Sequence, residues 1–563
     1  MADKFRVLIS DSMSELAPKT LAASSVIEVT EQGGMSADEL IQTIGSYNGL
    51  LVRSRTKVTA EVIEAATSLA IIGRAGIGVD NIDIKAASRR GIIVENAPNG
   101  NSITTAEHAI CLLTSLARNI PQATASMKLG KWEKKKLGGR ELYKKYLGII
   151  GLGNIGRIVA DRAIGLRMNV LGADPFISAA NAEALATIGV ELVELNELLA
   201  RADFISIHAP LTEKTKGLLS SAEFDRVKPG VMLINAARGG IVDEQALVAA
   251  LESGQVAGAA VDVFSSEPPS ASDPLVNHPR VICTPHLGAS TKEAQDKVAL
   301  EIASQMVAFA ERGEMIHSIN SVSVSAEQRE ELQPWLELAT SLGALTGQRF
   351  MSQGVSRVES RVEKAKSIVR LELDAWGIPG KRLGAITSAA LVGLLQSIMD
   401  GPINPVNARV LAEEADIEVV ELGEVLGKKS AEVSGKKSGH QGIHSSISIR
   451  ANSAERSTFV RGTLFDVGER MEPRVIQLDE VRVEAPASGH LLVLKNEDKP
   501  GIIGQVGTLL GEHDINVNSL HMGQDSDGRI AVAMWNLASP PDRNVLVKLR
   551  SIANVIGVEA VSL

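Results

Sequence analysis

Three polar residues far apart in the chain share one kind of position. Arg238 follows the hydrophobic β-like run 231–235, Glu267 follows 259–263, and His286 follows 281–284. Each therefore stands just past the C-terminal end of a strand-like run, the edge at which open α/β sheets bind ligands. Oxidising an alcohol to a ketone needs a base for the hydroxyl proton, and a histidine serves near neutral pH. A carboxylate beside it would fix its orientation and stabilise the imidazolium that forms. An arginine would hold a substrate carboxylate through two parallel N–H groups and polarise the neighbouring oxygen. Arg238, Glu267 and His286 are thus the candidate catalytic set for dehydrogenating a 2-hydroxy acid.

Such a reaction also needs a hydride acceptor. Gly151-Leu152-Gly153-Asn154-Ile155-Gly156 directly follows a strand-like run and opens a helical one. Gly151 permits the tight turn, Gly153 lets backbone approach a pyrophosphate, and Gly156 lets helix and strand pack closely. Unpaired N–H groups and the dipole at the helix start would then meet the phosphates. Asp174 closes the second strand-like run, where a carboxylate bonds both ribose hydroxyls and repels a 2′-phosphate, so NAD is favoured over NADP. Two other histidines compete for the role of base. His108 lies in a helical run and reads as a packed or capping residue. His208 lies beyond a strand end without an obvious carboxylate partner and reads as lining the cofactor cleft.

The elements that must position these residues follow from the hydrophobic pattern. Runs at 6–9, 49–53, 69–73 and 92–95 alternate with helical stretches and predict a parallel α/β sheet. One long helix is expected over 104–127, followed by a lysine-rich stretch at 128–136. A second series of seven strands, 147–151 through 281–284, with helices such as 154–165 and 243–253, predicts a doubly wound sheet. A helix over 292–312 leaves that sheet, and 318–326 reads as a polar linker. Residues 326–487 carry helix, strands and a lysine- and glycine-rich tract at 428–442, read as an exposed loop. The last unit, from about 490, follows the order β-α-β-β-α-β of ferredoxin-like folds.

Bulk properties bound the reading further. The 563 residues exceed what one hydrophobic core organises and point to three or four domains. With 3% aromatic residues, the cores must be aliphatic. A net charge of −9 argues against nucleic acid or an anionic membrane as partner. Cys111 and Cys283 do not form a disulfide framework, and no apolar run is long enough to span a membrane, so the cytoplasm is expected. Nothing in the pattern calls for a metal.

The chain resembles the D-isomer-specific 2-hydroxy acid dehydrogenase family. The segments that carry the resemblance are Gly151 to Gly156, His208 to Leu211, Asn235 to Glu244, Asp262 to Pro268 and Pro285 to Ser290. The resemblance implies that Arg238 binds the substrate carboxylate and that His286, assisted by Glu267, is the acid/base. It implies that Asp262 meets the nicotinamide amide. Asn154, Ile155, Ala209, Ala236, Ala237 and Gly288 would line the cofactor beside the glycine loop, Asp174, Arg238 and His286. It also implies a doubly wound Rossmann cofactor domain, residues 98–287, inserted in a flavodoxin-like substrate domain made of 1–97 and 288–317.

Within the family the resemblance is to members acting on D-3-phosphoglycerate, carried by residues 51–56, 72–83 and 96–102. Arg53, Ser54, Arg74, Ala75, Gly76 and Asn101 are then the expected contacts of a phosphorylated hydroxy acid. Residue 77 is Ile where some relatives carry Thr. Residues 490–563 resemble an ACT domain through Asn496-Glu-Asp498-Lys-Pro-Gly501 and Asp514-Ile-Asn516. The resemblance implies an L-serine effector bound by Asn496, Asp498 and Asn516 between paired domains, and a homodimer or homotetramer. Asn496 departs from the His or Tyr of some relatives. Residues 318–487 resemble the α+β intervening domain of long members. The rival readings are another D-2-hydroxy acid dehydrogenase, such as a glyoxylate or hydroxypyruvate reductase, and a non-catalytic NAD-sensing protein.

Overall fold

The structure, a computed structural model, describes residues 4–322, 326–352, 368–378, 383–422, 445–468 and 470–563. The lysine- and glycine-rich tract at 428–442 lies outside them.

Strands β1 (Phe5–Ile9), β2 (Ile27–Glu31), β3 (Gly49–Val52), β4 (Ile71–Arg74) and β5 (Ile93–Asn96) form a parallel sheet in the order β2-β1-β3-β4-β5. β3 and β5 are buried at every position, as a sheet covered on both faces requires. One cover comes from far along the chain. The helix Lys292–Arg312 lays Val298, Ala299, Ile302, Ala303 and Met306 into the core against Val7, Leu51 and Ile71. The first sheet domain is therefore built from both ends of the catalytic region.

Between those ends lies a second parallel sheet. Its strands are β6 (Tyr146–Ile150), β7 (Asn169–Ala173), β8 (Val190–Leu192), β9 (Phe204–Ile207), β10 (Val231–Asn235), β11 (Val256–Val261) and β12 (Val281–Cys283). The order β12-β11-β10-β9-β6-β7-β8 reverses direction between β6 and β9, which opens a crevice beyond their C-terminal ends. A Cβ on Gly151, after β6, would lie 2.8 Å from the His208 carbonyl group, after β9, so the two strand ends pinch together there.

Two expectations need correction. The single helix over 104–127 is two helices, Ser102–Ala117 and Ile120–Lys128. Asn119 adopts a left-handed φ of 51° between them, and Pro121 fits the first turn of the second helix, where no N–H is needed. The polar run from 318 is not a free linker at its start. Ile319 donates its N–H to Val94 O, and the Asn320 side chain accepts from Val94 N and donates to Ser88 and Ile92, which straps this segment to the edge of β5.

The third sheet holds β13 (Arg370–Trp376), β14 (Glu418–Leu422), β15 (Ser446–Asn452), β16 (Ser457–Val467), β17 (Arg470–Leu478) and β18 (Val481–Pro486) in the order β14-β13-β15-β16-β17-β18. Helices Ala326–Ser352 and Leu383–Ile398 pack against it. The last sheet, β20-β21-β19-β22, comprises β19 (His490–Glu497), β20 (Val517–Gln524), β21 (Ile530–Leu537) and β22 (Val555–Ser562). It is antiparallel, with helices Ile502–Glu512 and Arg543–Arg550 on one face. Leu492 and Leu494 point to those helices, whereas Leu491 and Val493 enter the core of the third sheet. The two C-terminal units thus share one core. Arg349 reinforces the seam, buried between Glu559 (2.7 Å) and Asp479 (2.8 Å).

Candidate active site

The glycine loop is set by close backbone packing. Gly151 has φ 89°, and a Cβ on Gly156 would overlap the Gly151 carbonyl oxygen, so neither position accepts a side chain. A Cβ on Gly153 would instead project into open space at the start of the helix Asn154–Gly165. Asp174, at the end of β7, accepts from the Leu152 N–H and the Phe176 N–H, both at 2.9 Å. It therefore ties the glycine loop to the neighbouring strand end, and each carboxylate oxygen keeps a further lone pair.

The three strand-end residues converge. His286 Nδ1 lies 2.7 Å from Glu267 Oε2, while Glu267 Oε1 accepts from the Phe264 N–H at 3.1 Å. His286 has a left-handed φ of 55°. The loop that carries it is anchored on Asp262, which is 1% exposed. Asp262 accepts from Thr284 Oγ1 (2.5 Å), Leu287 N (2.7 Å) and Gly288 N (2.9 Å), and lies 3.2 Å from His108 Nε2. Burial opposes ionisation of Asp262, but the hydrogen bonds from His108, Thr284 and the Leu287 N–H outweigh it and hold the carboxyl below its usual range. Its two oxygens are thus largely committed to positioning the histidine loop, a role the motif reading did not assign to it.

Arg238, after β10, reaches across to the first sheet domain. Its Nε donates to Asp80 Oδ2 at 2.8 Å and its Nη1 to Ala237 O at 2.7 Å. Asn235 stiffens the turn by accepting from Ala237 N and donating to Arg238 O, both at 3.1 Å. Arg74, at the end of β4, is bent back onto Ala75 O. Burial first, then the nearby Arg238 charge, push its pKa down to about 10, so it remains a cation at physiological pH. His208 is half-buried with its Nε2 2.8 Å from Ser206 Oγ, and loss of water around the ring lowers its pKa to about 4. Its ring is neutral where His286 would work.

A cleft of about 380 Å³ between the two sheet domains is lined by Arg74, Asn101, Asn154, Ile155, His208, Ala209, Ala236, Ala237, Arg238, Asp262, His286 and Gly288. Asp80, Ile77 to Val79, Pro98 and Thr105 also line it and were not among the sequence candidates. The signal for Asp80 was its place after a strand end, which the motif reading overlooked beside the arginines. Arg53, Ser54, Ala75 and Gly76 are not on the lining. Arg53 is held by Ser12 O, and the Ala75 N–H continues the β3–β4 ladder to Val52 O.

Three segments of the chain match known protein families. Residues 110–288 match the D-isomer specific 2-hydroxyacid dehydrogenase NAD binding domain, residues 331–479 the D-3-phosphoglycerate dehydrogenase intervening domain, and residues 490–551 the ACT domain. A D-3-phosphoglycerate dehydrogenase from Archaeoglobus fulgidus is 40% identical over 560 residues, covering 99% of this chain and 100% of that one. One from Bacillus subtilis is 38% identical over 561 residues, again covering 99% and 100%. The chain belongs to the D-3-phosphoglycerate dehydrogenase family.

Among solved structures, a glyoxylate reductase from Paecilomyes thermophila superposes with a TM-score of 0.53 at 30% identity, covering 57% of this chain and 99% of that one. The TT0316 protein of Thermus thermophilus gives 0.51 at 31%, covering 56% and 99%. As a D-3-phosphoglycerate dehydrogenase family member with the matched domain, the chain is an NAD-dependent oxidoreductase. The site fits that cofactor, because the space in front of Gly153 is open and Arg238 and His286 line a cleft with Asn154 and Ile155 beside it.

The C-terminal ACT domain of this family member has its own cavity of about 450 Å³, lined by Asn496, Asp498, Lys499, Met522 and Trp535 among others. Asn496 is buried and its Nδ2 is given to Glu497 O, while Asp498 accepts from Gln524 Nε2 at 2.5 Å. The strand register separates the third expected effector residue. Asn496 is opposite Ala531 at one end of β21, whereas Val517, next to Asn516, is opposite Leu537 at the other. One ACT domain therefore does not bring Asn516 to Asn496 and Asp498. Among the described residues, no helix is long and apolar enough to cross a membrane.

Proposed function

We propose that the protein oxidises D-3-phosphoglycerate to 3-phosphohydroxypyruvate with NAD, the opening step of the phosphorylated route to L-serine, in the cytoplasm. The observation that carries this reading is His286, which Glu267 holds at 2.7 Å and which lines one cleft with Arg238 and Arg74. When bound, NAD supplies the hydride acceptor. Gly153, Asn154, Ile155, Asp174, Ala209, Ala236, Ala237, Asp262 and Gly288 are the residues that would hold it, and Asp174 favours it over NADP.

The rest of the chemistry belongs to side chains. Glu267 occupies His286 Nδ1, which leaves Nε2 to accept the C2 hydroxyl proton. Arg238 holds the substrate carboxylate and polarises the adjacent oxygen as it becomes a ketone. Arg74 faces the phosphate end from the lining, with Arg53 behind it as a longer-range positive charge, and Asn101 closes that side. Ser54 and the Ala75–Gly76 backbone reach the substrate only if the two domains move on closure, which such clefts commonly do.

A second copy of the chain completes the assembly. Met127, Leu129, Trp132 and Tyr143 are exposed within one stretch of the chain, apolar groups that suit burial in a homodimer or homotetramer. L-serine is the effector this reading assigns to the ACT domain, with Asn496 and Asp498 from one copy and Asn516 from another. The test is a substrate panel in which D-3-phosphoglycerate, D-glycerate, glyoxylate and hydroxypyruvate are compared by kcat/KM. The reading expects the phosphorylated acid to lead, and an Arg74→Ala variant to erase that lead. Preference for glyoxylate in the unmodified protein would overturn the substrate.

A further inference from the structure

We infer that Asp80 is a positioning residue for the oxidation: it locks Arg238 across the domain cleft so that one edge of the guanidinium is presented to the substrate carboxylate. This rests on the proposed role of Arg238 and deepens it.

Asp80 belongs to the first sheet domain, in the loop that follows β4, whereas Arg238 belongs to the second. Their contact, Nε–H to Oδ2 at 2.8 Å, is an ion pair between the domains that face each other across the cleft. A guanidinium can grip a carboxylate through its Nε/Nη2 edge or its Nη1/Nη2 edge. Asp80 takes the Nε–H and so closes the first edge. Ala237 O takes one N–H of Nη1. What remains is the second N–H of Nη1 and both N–H groups of Nη2, and with the Nε–H taken a paired grip on a carboxylate is left to the Nη1/Nη2 edge. The fit is close, because a Cβ on Gly78 would collide with Arg238 Nη2, so the loop must carry glycine at 78 for the arginine to lie where it does.

Asp80 has a second effect on the same site. The Arg74 cation is disfavoured by the neighbouring Arg238 and Arg53 charges and favoured by Asp80. Without Asp80, the positive groups that must gather an anionic substrate would repel one another and splay. The residue therefore orients one arginine and tempers the cluster. Its influence on the reaction passes through Arg238.

That dependence gives the experiment. Asp80→Ala, Asp80→Asn and Asp80→Glu are made in the full-length protein and, with Asp80→Ala, in an Arg238→Lys background. KM and kcat for D-3-phosphoglycerate, the dissociation constant of NADH and the Tm are measured for each. The expected result for Asp80→Ala is a rise in KM on the order of tenfold, the scale of one charge-assisted bond at a half-exposed site. NADH affinity and Tm should stay unchanged. Asp80→Asn keeps an acceptor for the Nε–H and should recover part of the loss, whereas Asp80→Glu should not reach the same geometry. In the Arg238→Lys background, which has no Nε–H, Asp80→Ala should cost less than twofold. Should turnover there be too slow to follow, the same cycle is read from the dissociation constant of oxalate in the presence of NADH. An equal loss in both backgrounds, or a loss accompanied by weaker NADH binding, overturns the inference. Absence of any hydroxy-acid turnover in the unmodified protein would instead defeat the functional reading beneath it.

Discussion

Replacing Glu267 separates orientation from charge at the proposed base. The Nδ1–Oε2 contact of 2.7 Å places the centres of an imidazolium and a carboxylate about 4 Å apart, where Coulomb attraction is worth roughly 1–4 kcal/mol at effective dielectric constants between 80 and 20. The side chains of His286 and Glu267 are 46% and 37% exposed, so water screens the pair and the lower part of that range applies. Losing about 1–2 kcal/mol from a charge that develops during proton transfer lowers kcat by roughly 5- to 30-fold for Glu267→Ala, with KM little changed. Glu267→Gln should be worse. Oε1 already accepts from the Phe264 N–H, so a glutamine placed the same way turns its NH2 group toward His286 Nδ1. The ring then keeps its proton on Nε2 and cannot act as a base. The reverse placement sets two donors face to face at Phe264, at a cost of about 1–3 kcal/mol. Stopped-flow formation of NADH from D-3-phosphoglycerate gives kcat without interference from product. A glutamine variant more active than the alanine variant, or a loss confined to KM, would refute this account of the pair.

Three further outcomes follow from the geometry. Gly156→Ala must push the helix off the Gly151 carbonyl and should lower stability by about 1–3 kcal/mol, whereas Gly153→Ala should melt normally yet bind NADH more weakly, seen by melting curves beside fluorescence titration. Burial raises the Glu95 pKa to about 7, so its contribution to stability is complete below about pH 4.5, the unfolded value, and is lost as pH rises through 7. Glu95→Gln should therefore gain in Tm over the unmodified protein between pH 5 and pH 8, and a constant difference across that range would contradict the assignment. His208, whose pKa burial depresses to about 4, cannot supply an acidic limb near neutrality, so His208→Asn should leave the shape of the kcat/KM–pH profile intact while His286→Asn removes the reaction.

What the sequence revealed about this site was what lies along single strands and their ends. The turn after β6 and the residues after β10, β11 and β12 are fixed by local hydrophobic runs and glycines, so the loop Gly151–Gly156 and the set Arg238, Glu267 and His286 could be placed before any coordinates. Contacts between domains carry no such local sign. Asp80 meets Arg238 only because the two sheets face each other, and His108 meets Asp262 only because the helix Ser102–Ala117 packs beside the histidine loop. The break at Asn119 was masked by helical spacing on both sides of it, although Pro121 was the available warning. The strap at Ile319 and Asn320 is polar in sequence because its bonds go to the edge of β5 rather than to water alone. The alternation of Leu491 and Val493 with Leu492 and Leu494 shows why β19 is apolar on both faces: two units share its sheet.

His286 is proposed to take the hydroxyl proton of D-3-phosphoglycerate in an NAD-dependent oxidation. The most direct measurement is NADH formation by the purified protein with D-3-phosphoglycerate and NAD at about pH 8–9, alongside His286→Ala, with a coupled step removing the keto product. The expected result is steady NADH formation that falls by on the order of a hundredfold or more in the variant while NADH binding is retained. Equal rates in the two proteins, or no oxidation of D-3-phosphoglycerate by a protein that binds NADH tightly, would contradict it.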